Sequence, residues 1–189
     1  MSNRNRLTVD LSYNNRLHHG VRLLPHQWIE IYGPTVAVEI MVHPNMAKSL
    51  KDAGKSVPES VIGDAMIDSG AQATTIDTSV AERLHLPRTS KIEAFGIGGK
   101  SEGYTSPCSI SIPGLELTTN LARAHCHELT KNAKHIIALI GRDILKHMTF
   151  FYDGINGHVQ LVYPLPFGVV PRKGSTDAQR RPKQRKRRH

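Results

Sequence analysis

The chain has 189 residues, 39% hydrophobic and 22% charged with a formal net charge of +9, enough for one domain with a core plus extensions. Its longest uninterrupted apolar run, Ile136 to Ile140, is far too short to span a bilayer, and the first twenty residues hold no apolar stretch of a secretory signal, so no membrane association is expected. Two cysteines, Cys108 and Cys126, are too few for a disulfide framework, and a reduced cytoplasmic setting follows as the expectation.

Residues 1–26 are polar, carry four Arg and one Asp, and read as an N-terminal arm. From Gln27 the texture becomes strand-like, and a domain is expected over 27–165. In TVAVEIMVH (35–43), Val36, Val38, Ile40 and Val42 share one face, the pattern of a half-buried strand. Residues 44–60 mix Pro, Gly, Ser and Lys and read as a long surface loop. A second strand, VIGDAMID, leads into an Asp-Ser-Gly turn. The stretch TTIDTSVAERLHLP then predicts a short strand and a helix. Asp77 or Thr78 is its N-cap, Val80, Ala81 and Leu84 face inward, and Pro87 marks its end.

KIEAFGIGGKSEGY (91–104) sets apolar residues on both sides of a glycine-rich apex and predicts a hairpin. Strands follow at CSISI and LELTTNLARA, separated by Pro113-Gly114. HIIALIG reads as a buried strand and RDILKHM as a short helix. TFFYDGINGHVQLVY is a hairpin turned by Asp153-Gly154 and Asn156-Gly157. Many short strands with two short helices predict a mainly β, barrel-like domain.

The basic charge is concentrated at the end. Residues 172–189 hold nine Lys/Arg and one Asp, whereas 27–171 hold twelve Lys/Arg against fourteen Asp/Glu. So charged a run buries too little apolar surface to order itself, and 166–189 is expected as a disordered tail. The alternative is an electrostatic handle for nucleic acid or another anionic surface. With no aromatic residue in 172–189 for stacking, such contact would be weak and nonspecific.

Chemistry centres on AMIDSGAQATTID (65–77). A D-[ST]-G triplet arises by chance in roughly one chain in ten of this size, and its ordinary role is a turn. Three linked features set this copy apart. It follows an apolar run, a glycine-rich hairpin lies about thirty residues downstream, and an apolar strand later runs into Gly-Arg-Asp and a helix.

In IDSGA (67–71), GIGG (96–99) and LIGRDIL (139–145), the chain resembles the retropepsin-like aspartic proteases over about residues 34–163. The version DSGAQATTI with a following AER is most similar to the cellular and bacterial branch, including the DNA-damage-inducible type, rather than to the retroviral enzymes. The resemblance implies a closed β-barrel and an aspartic endopeptidase that works without a cofactor. Asp68 would be catalytic, with Ser69, Gly70 and Ala71 supporting it. Gly96, Ile97, Gly98 and Gly99 would form a flap over bound peptide or protein substrate, and Gly141, Arg142 and Asp143 would support the site from below.

Two carboxylates sharing one proton can deprotonate water and protonate a carbonyl oxygen, because like charges that close do not both ionise readily. Only one D-[ST]-G occurs, so the second carboxylate must come from another copy in a homodimer. Gln72 stands where retroviral members usually carry an acidic residue, and Ser69 replaces the commoner Thr.

AHCHE (124–128) invites a metal reading, since His125 and His127 point the same way from a strand. The spacing supplies no further ligands, so no metal is expected. The alternative to the protease is a retropepsin-like dimerisation or binding module whose basic tail contacts nucleic acid or an acidic partner.

Overall fold

The computed structural model describes residues 6–164 except 12, 15, 97, 98 and 130–134. The tail expected over 166–189 lies outside the described residues, as do Ile97 and Gly98.

Six strands close on themselves. β4 (Thr35–Val42), β5 (Val61–Ile67), β10 (Ile136–Ile140), β6 (Thr75–Asp77), β9 (Leu117–His127) and β8 (Gly99–Ile112) lie in that order, and β4 pairs back onto β8. β7 (Ser90–Gly96) adds to the free upper part of β8 as a two-stranded ribbon. The mainly β closed barrel expected from the sequence is therefore present. Closure removes the open edges of the barrel wall, leaving one inner face to fill. Val36, Val38, Ile40 and Val42 of β4, Ala65 and Ile67 of β5, and Ile136, Ala138 and Ile140 of β10 fill it. The period-2 pattern in these strands is what selects that face.

CSISI does not form a strand of its own. It is the lower half of the fourteen-residue β8, which runs from the ribbon into the barrel wall with a register shift between Ser106 and Cys108. A 3-10 turn, Pro113–Leu115, connects β8 to β9.

Four α-helices occur among the described residues, where two were expected. α3 (Thr78–Arg83) is capped by Asp77, whose carboxylate accepts from the Ser79 amide, and α4 (Arg142–Leu145) follows β10. The two additional helices are α1 (Pro25–Tyr32) and α2 (Pro44–Asp52). Both begin with Pro in the first turn, where its fixed φ suits a helix and its missing N–H removes no bond. α2 occupies part of the stretch read as a loop. It buries no residue fully, and Met46 and Ala47 pack only partly against the core. No helix among the described residues is long and apolar enough to cross a membrane.

The stretch expected as a polar arm packs onto the barrel from residue 6. β1 (Arg6–Leu11) pairs with β12 (His158–Pro164), which pairs with β11 (Thr149–Asp153) in a three-stranded sheet. β2 (Leu17–His18) and β3 (Val21–Arg22) make a minimal hairpin ahead of α1. Tyr13 is 2% exposed: its hydroxyl donates to the Thr35 carbonyl and accepts from the Thr35 amide, both at 2.9 Å. The ring stacks on Trp28 at 6.5 Å, and the Arg16 guanidinium covers Trp28 and reaches Asp64 at 3.3 Å.

Candidate active site

β5 delivers Asp68 from inside the barrel wall to its rim. Val61, Ala65 and Ile67 point into the core, so Ile62, Asp64 and Met66 point outward, and Asp68 continues their alternation. Its backbone amide donates to the Ile140 carbonyl at 3.0 Å, which ties the start of the loop to parallel β10. The chain then turns on its own side chain. Asp68 Oδ1 accepts from the amides of Gly70 at 2.8 Å and Ala71 at 3.1 Å, and the Ala71 amide also lies 3.2 Å from the Asp68 carbonyl. Among the described residues, Oδ2 has no hydrogen-bond partner. A Cβ on Gly70 would sit 3.1 Å from Oδ1, so glycine allows the close approach of backbone to carboxylate.

The loop is held from beneath by residues about seventy positions downstream. Arg142 Nη1 donates to the carbonyls of Ser69 at 2.8 Å and Gly70 at 2.7 Å, while its amide donates to Ala71 at 2.9 Å. Asp143 accepts from the Thr74 amide at 2.9 and 3.0 Å, from the Thr74 hydroxyl at 2.7 Å and from the Ile144 amide at 3.0 Å. The Gly141 amide donates to the Thr74 hydroxyl at 3.1 Å. A Cβ on Gly141 would lie 2.5 Å from the Ala73 carbonyl carbon, so the two segments touch backbone to backbone only because this residue is glycine.

Asp68, Ser69, Gly70 and Ala71 are thus brought together with Gly141, Arg142 and Asp143. Arg142 contacts loop carbonyls rather than Gln72, which is exposed. Gly96 and Gly99 face each other across the end of the β7–β8 ribbon, with Gly99 at a φ of +91°. Thr74 is the site residue that sequence reading missed. Its role depends on a partner 69 residues away, and a Thr in a Thr-Thr pair carries no local signal of that.

His125 and His127 lie on β9 with ring centroids 6.3 Å apart, and no group of three His, Cys, Asp or Glu side chains among the described residues is arranged to hold a metal ion. Burial pushes the thiols of Cys108 and Cys126 up to about 12, which leaves them as uncharged core residues.

Asp68 is half-buried at the rim, and Ser69 and Gly70 beside it are exposed. A carboxylate oriented by two amides on a braced loop, with one oxygen free, can hold a water or exchange a proton with a second acidic group.

The aspartyl protease family model matches residues 56–124, a segment that contains Asp68 and the β7–β8 ribbon. Among solved structures, the chain is similar to EIAV protease complexed with the inhibitor HBY-793. That match has 23% identity and a TM-score of 0.37, over 60% of this chain and 85% of that one. Among curated proteins no relative is found. Residues 56–124 are thus similar to an aspartyl protease family, and they lie in a closed β-barrel.

Proposed function

We propose that the protein is an aspartic endopeptidase, active as a homodimer in which Asp68 of each copy supplies one carboxylate of a shared dyad. The observation that carries this reading is the Asp68 loop. Its Oδ1 is fixed by the Gly70 and Ala71 amides, its Oδ2 has no hydrogen-bond partner among the described residues, and the loop is partly exposed at the rim of the barrel. In the dyad one carboxylate takes a proton from water while the other, protonated, donates to the carbonyl oxygen of the peptide bond. The titration then belongs to the pair. The Ser69 hydroxyl, exposed and without a partner among the described residues, would brace the two loops across the two-fold axis. The ribbon would close over an extended peptide that pairs with its strands.

The route by which two copies meet is supported by β11. β12 occupies one edge of β11 and β1 the far edge of β12, so among the described residues the sheet ends at β11. Phe151 and Tyr152 on that strand are 49% and 48% exposed, with no Lys or Pro to block pairing. Only six residues separate Arg142, which holds the Asp68 loop, from the start of β11.

Cleavage of a peptide library tests the chemistry, with Asp68→Asn expected to lose at least about 10³-fold in rate at unchanged fold. An Asn variant as active as the parent would refute it. Sedimentation of Phe151→Lys tests the assembly, with monomer expected where the parent is dimeric.

A further inference from the structure

The two histidines of AHCHE have no part in the proposed chemistry, yet one of them lies under the ribbon. His127 ends β9, opposite Gly103 in the β8 register set by Tyr104 and Cys126. Its ring lies flat against the strand: a Cβ on Gly103 would fall 2.4 Å from His127 Cε1 and 2.6 Å from Nδ1. Two residues along the same face of β8, the Ser101 hydroxyl lies 3.4 Å from Nδ1. The side chain is 8% exposed, and its Nε2 is buried without a hydrogen-bond partner. Above this point the ribbon pairs only with itself, so the ring touches the strand where the barrel wall ends and the ribbon begins.

That geometry suits a neutral imidazole and not a charged one. In the neutral ring, Nδ1 shares a proton with Ser101 and the bare Nε2 lone pair is tolerated. A second proton would place a buried N–H on Nε2 with nothing to accept it. The surroundings do little to offset this. His125 adds repulsion when charged, and Glu102 contributes its backbone carbonyl as an acceptor. The Glu102 and Glu128 side chains are exposed. On β6, Asp77 is the register partner of His127, but its carboxylate is committed to Ser79 and the Leu129 amide. Burial accordingly pushes His127 below the ordinary imidazole range, more than the Glu102 carbonyl raises it.

The geometry points to His127 as a proton-operated latch on the root of the ribbon: neutral, it holds Ser101–Gly103 against β9, and on protonation it releases them. This rests on the protease reading only in naming the ribbon a flap. The sign is fixed by linkage. The latched ring gains its proton at lower pH than a released, solvated ring, so acidification favours release. Each unit of difference between the two states shifts the opening equilibrium about tenfold.

Amide hydrogen exchange of the full chain, without substrate and corrected for intrinsic pH dependence, reads the latch directly. Between pH 7.5 and 5, exchange at residues 100–104 should accelerate about tenfold, while the barrel amides of β4 and β5 stay constant. His127→Gln, which cannot gain a charge, should flatten that dependence; His125→Gln should retain it. A ring titration of His127 by NMR should share the exchange midpoint. Equal pH dependence in parent and His127→Gln, or a His127 ring that titrates with no change at 100–104, overturns the latch. Asp68→Asn should keep the pH-dependent exchange while losing hydrolysis, so failure of the latch and failure of the protease reading give different results.

Discussion

The loop at 68–74 and the ribbon at 90–103 both rely on glycine, but they are supported in opposite ways. The loop is joined to the β10–α4 junction by bonds from Gly141, Arg142 and Asp143, several of them to backbone groups. The ribbon above Gly103 is held, among the described residues, by the β7–β8 ladder and by the contact of His127 with Ser101 at its root. A reacting group needs its position fixed in advance, whereas a cover over substrate must open. Under the proposed protease reading the difference in support matches that division of labour, and local stability should follow it.

The most damaging way to break the contrast is Gly141→Ala. Its methyl group meets Ala73 backbone rather than a flexible side chain, so the loop must move away from α4. A loss of about 3 kcal/mol or more in urea unfolding is expected, with or without substrate. Asp143→Ala should follow closely at about 2–4 kcal/mol, since it strands the Thr74 amide and hydroxyl. Amide exchange at Thr74 should rise far more than exchange in the ribbon. A Thr74 amide that stays protected would show that the clamp is not what orders the loop.

A change remote from both regions sharpens the comparison by lowering stability without favouring either. Burial pushes the Tyr13 hydroxyl from 10.0 up to about 12. The unfolded chain therefore ionises first, and stability falls as pH rises from 10 towards 12, by up to about 2–3 kcal/mol. In Tyr13→Phe that alkaline slope should shrink, and the protection difference between loop and ribbon should remain. The smallest effect is expected in the ribbon itself. Gly99→Ala, at a φ of +91° with open space around it, should lower stability by about 1 kcal/mol and speed exchange mainly within 96–104. A large global loss there would mean the ribbon is more tightly coupled to the barrel than its ladder suggests.

Much of the barrel could be read from the chain because its strands alternate cleanly. Val36, Val38, Ile40 and Val42 announce both a strand and its buried face. Asp68 was legible through its setting, an acid after an apolar run and before Ser-Gly. What the sequence hid has specific causes. α1 is short, with only Trp28 and Ile29 buried, and its start was marked by Pro25 inside a polar stretch. α2 lies on the surface and buries only a narrow side of Met46, Ala47 and Leu50 in part, in a stretch whose Pro, Gly, Ser and Lys read as loop. Tyr13 is a lone aromatic among polar neighbours, and its place in the core depends on the Thr35 backbone 22 residues away. The Thr74–Asp143 bonds and the fit of His127 against Gly103 are likewise contacts between distant segments. No local pattern encodes such pairs, since each partner looks ordinary without the other.

The pairing of β1 with β12 has a consequence for how the molecule comes together. Arg6 faces Pro164, so almost the whole described chain is a loop between these two strands. Closing so long a loop is entropically the most demanding step in the fold, and it is rewarded only once the barrel already presents β12. The β1 strand is therefore expected to find its place late. Until it does, Tyr13 and Trp28 leave the Thr35 end of β4 uncovered, and β1 joins a barrel already closed by β4 on β8.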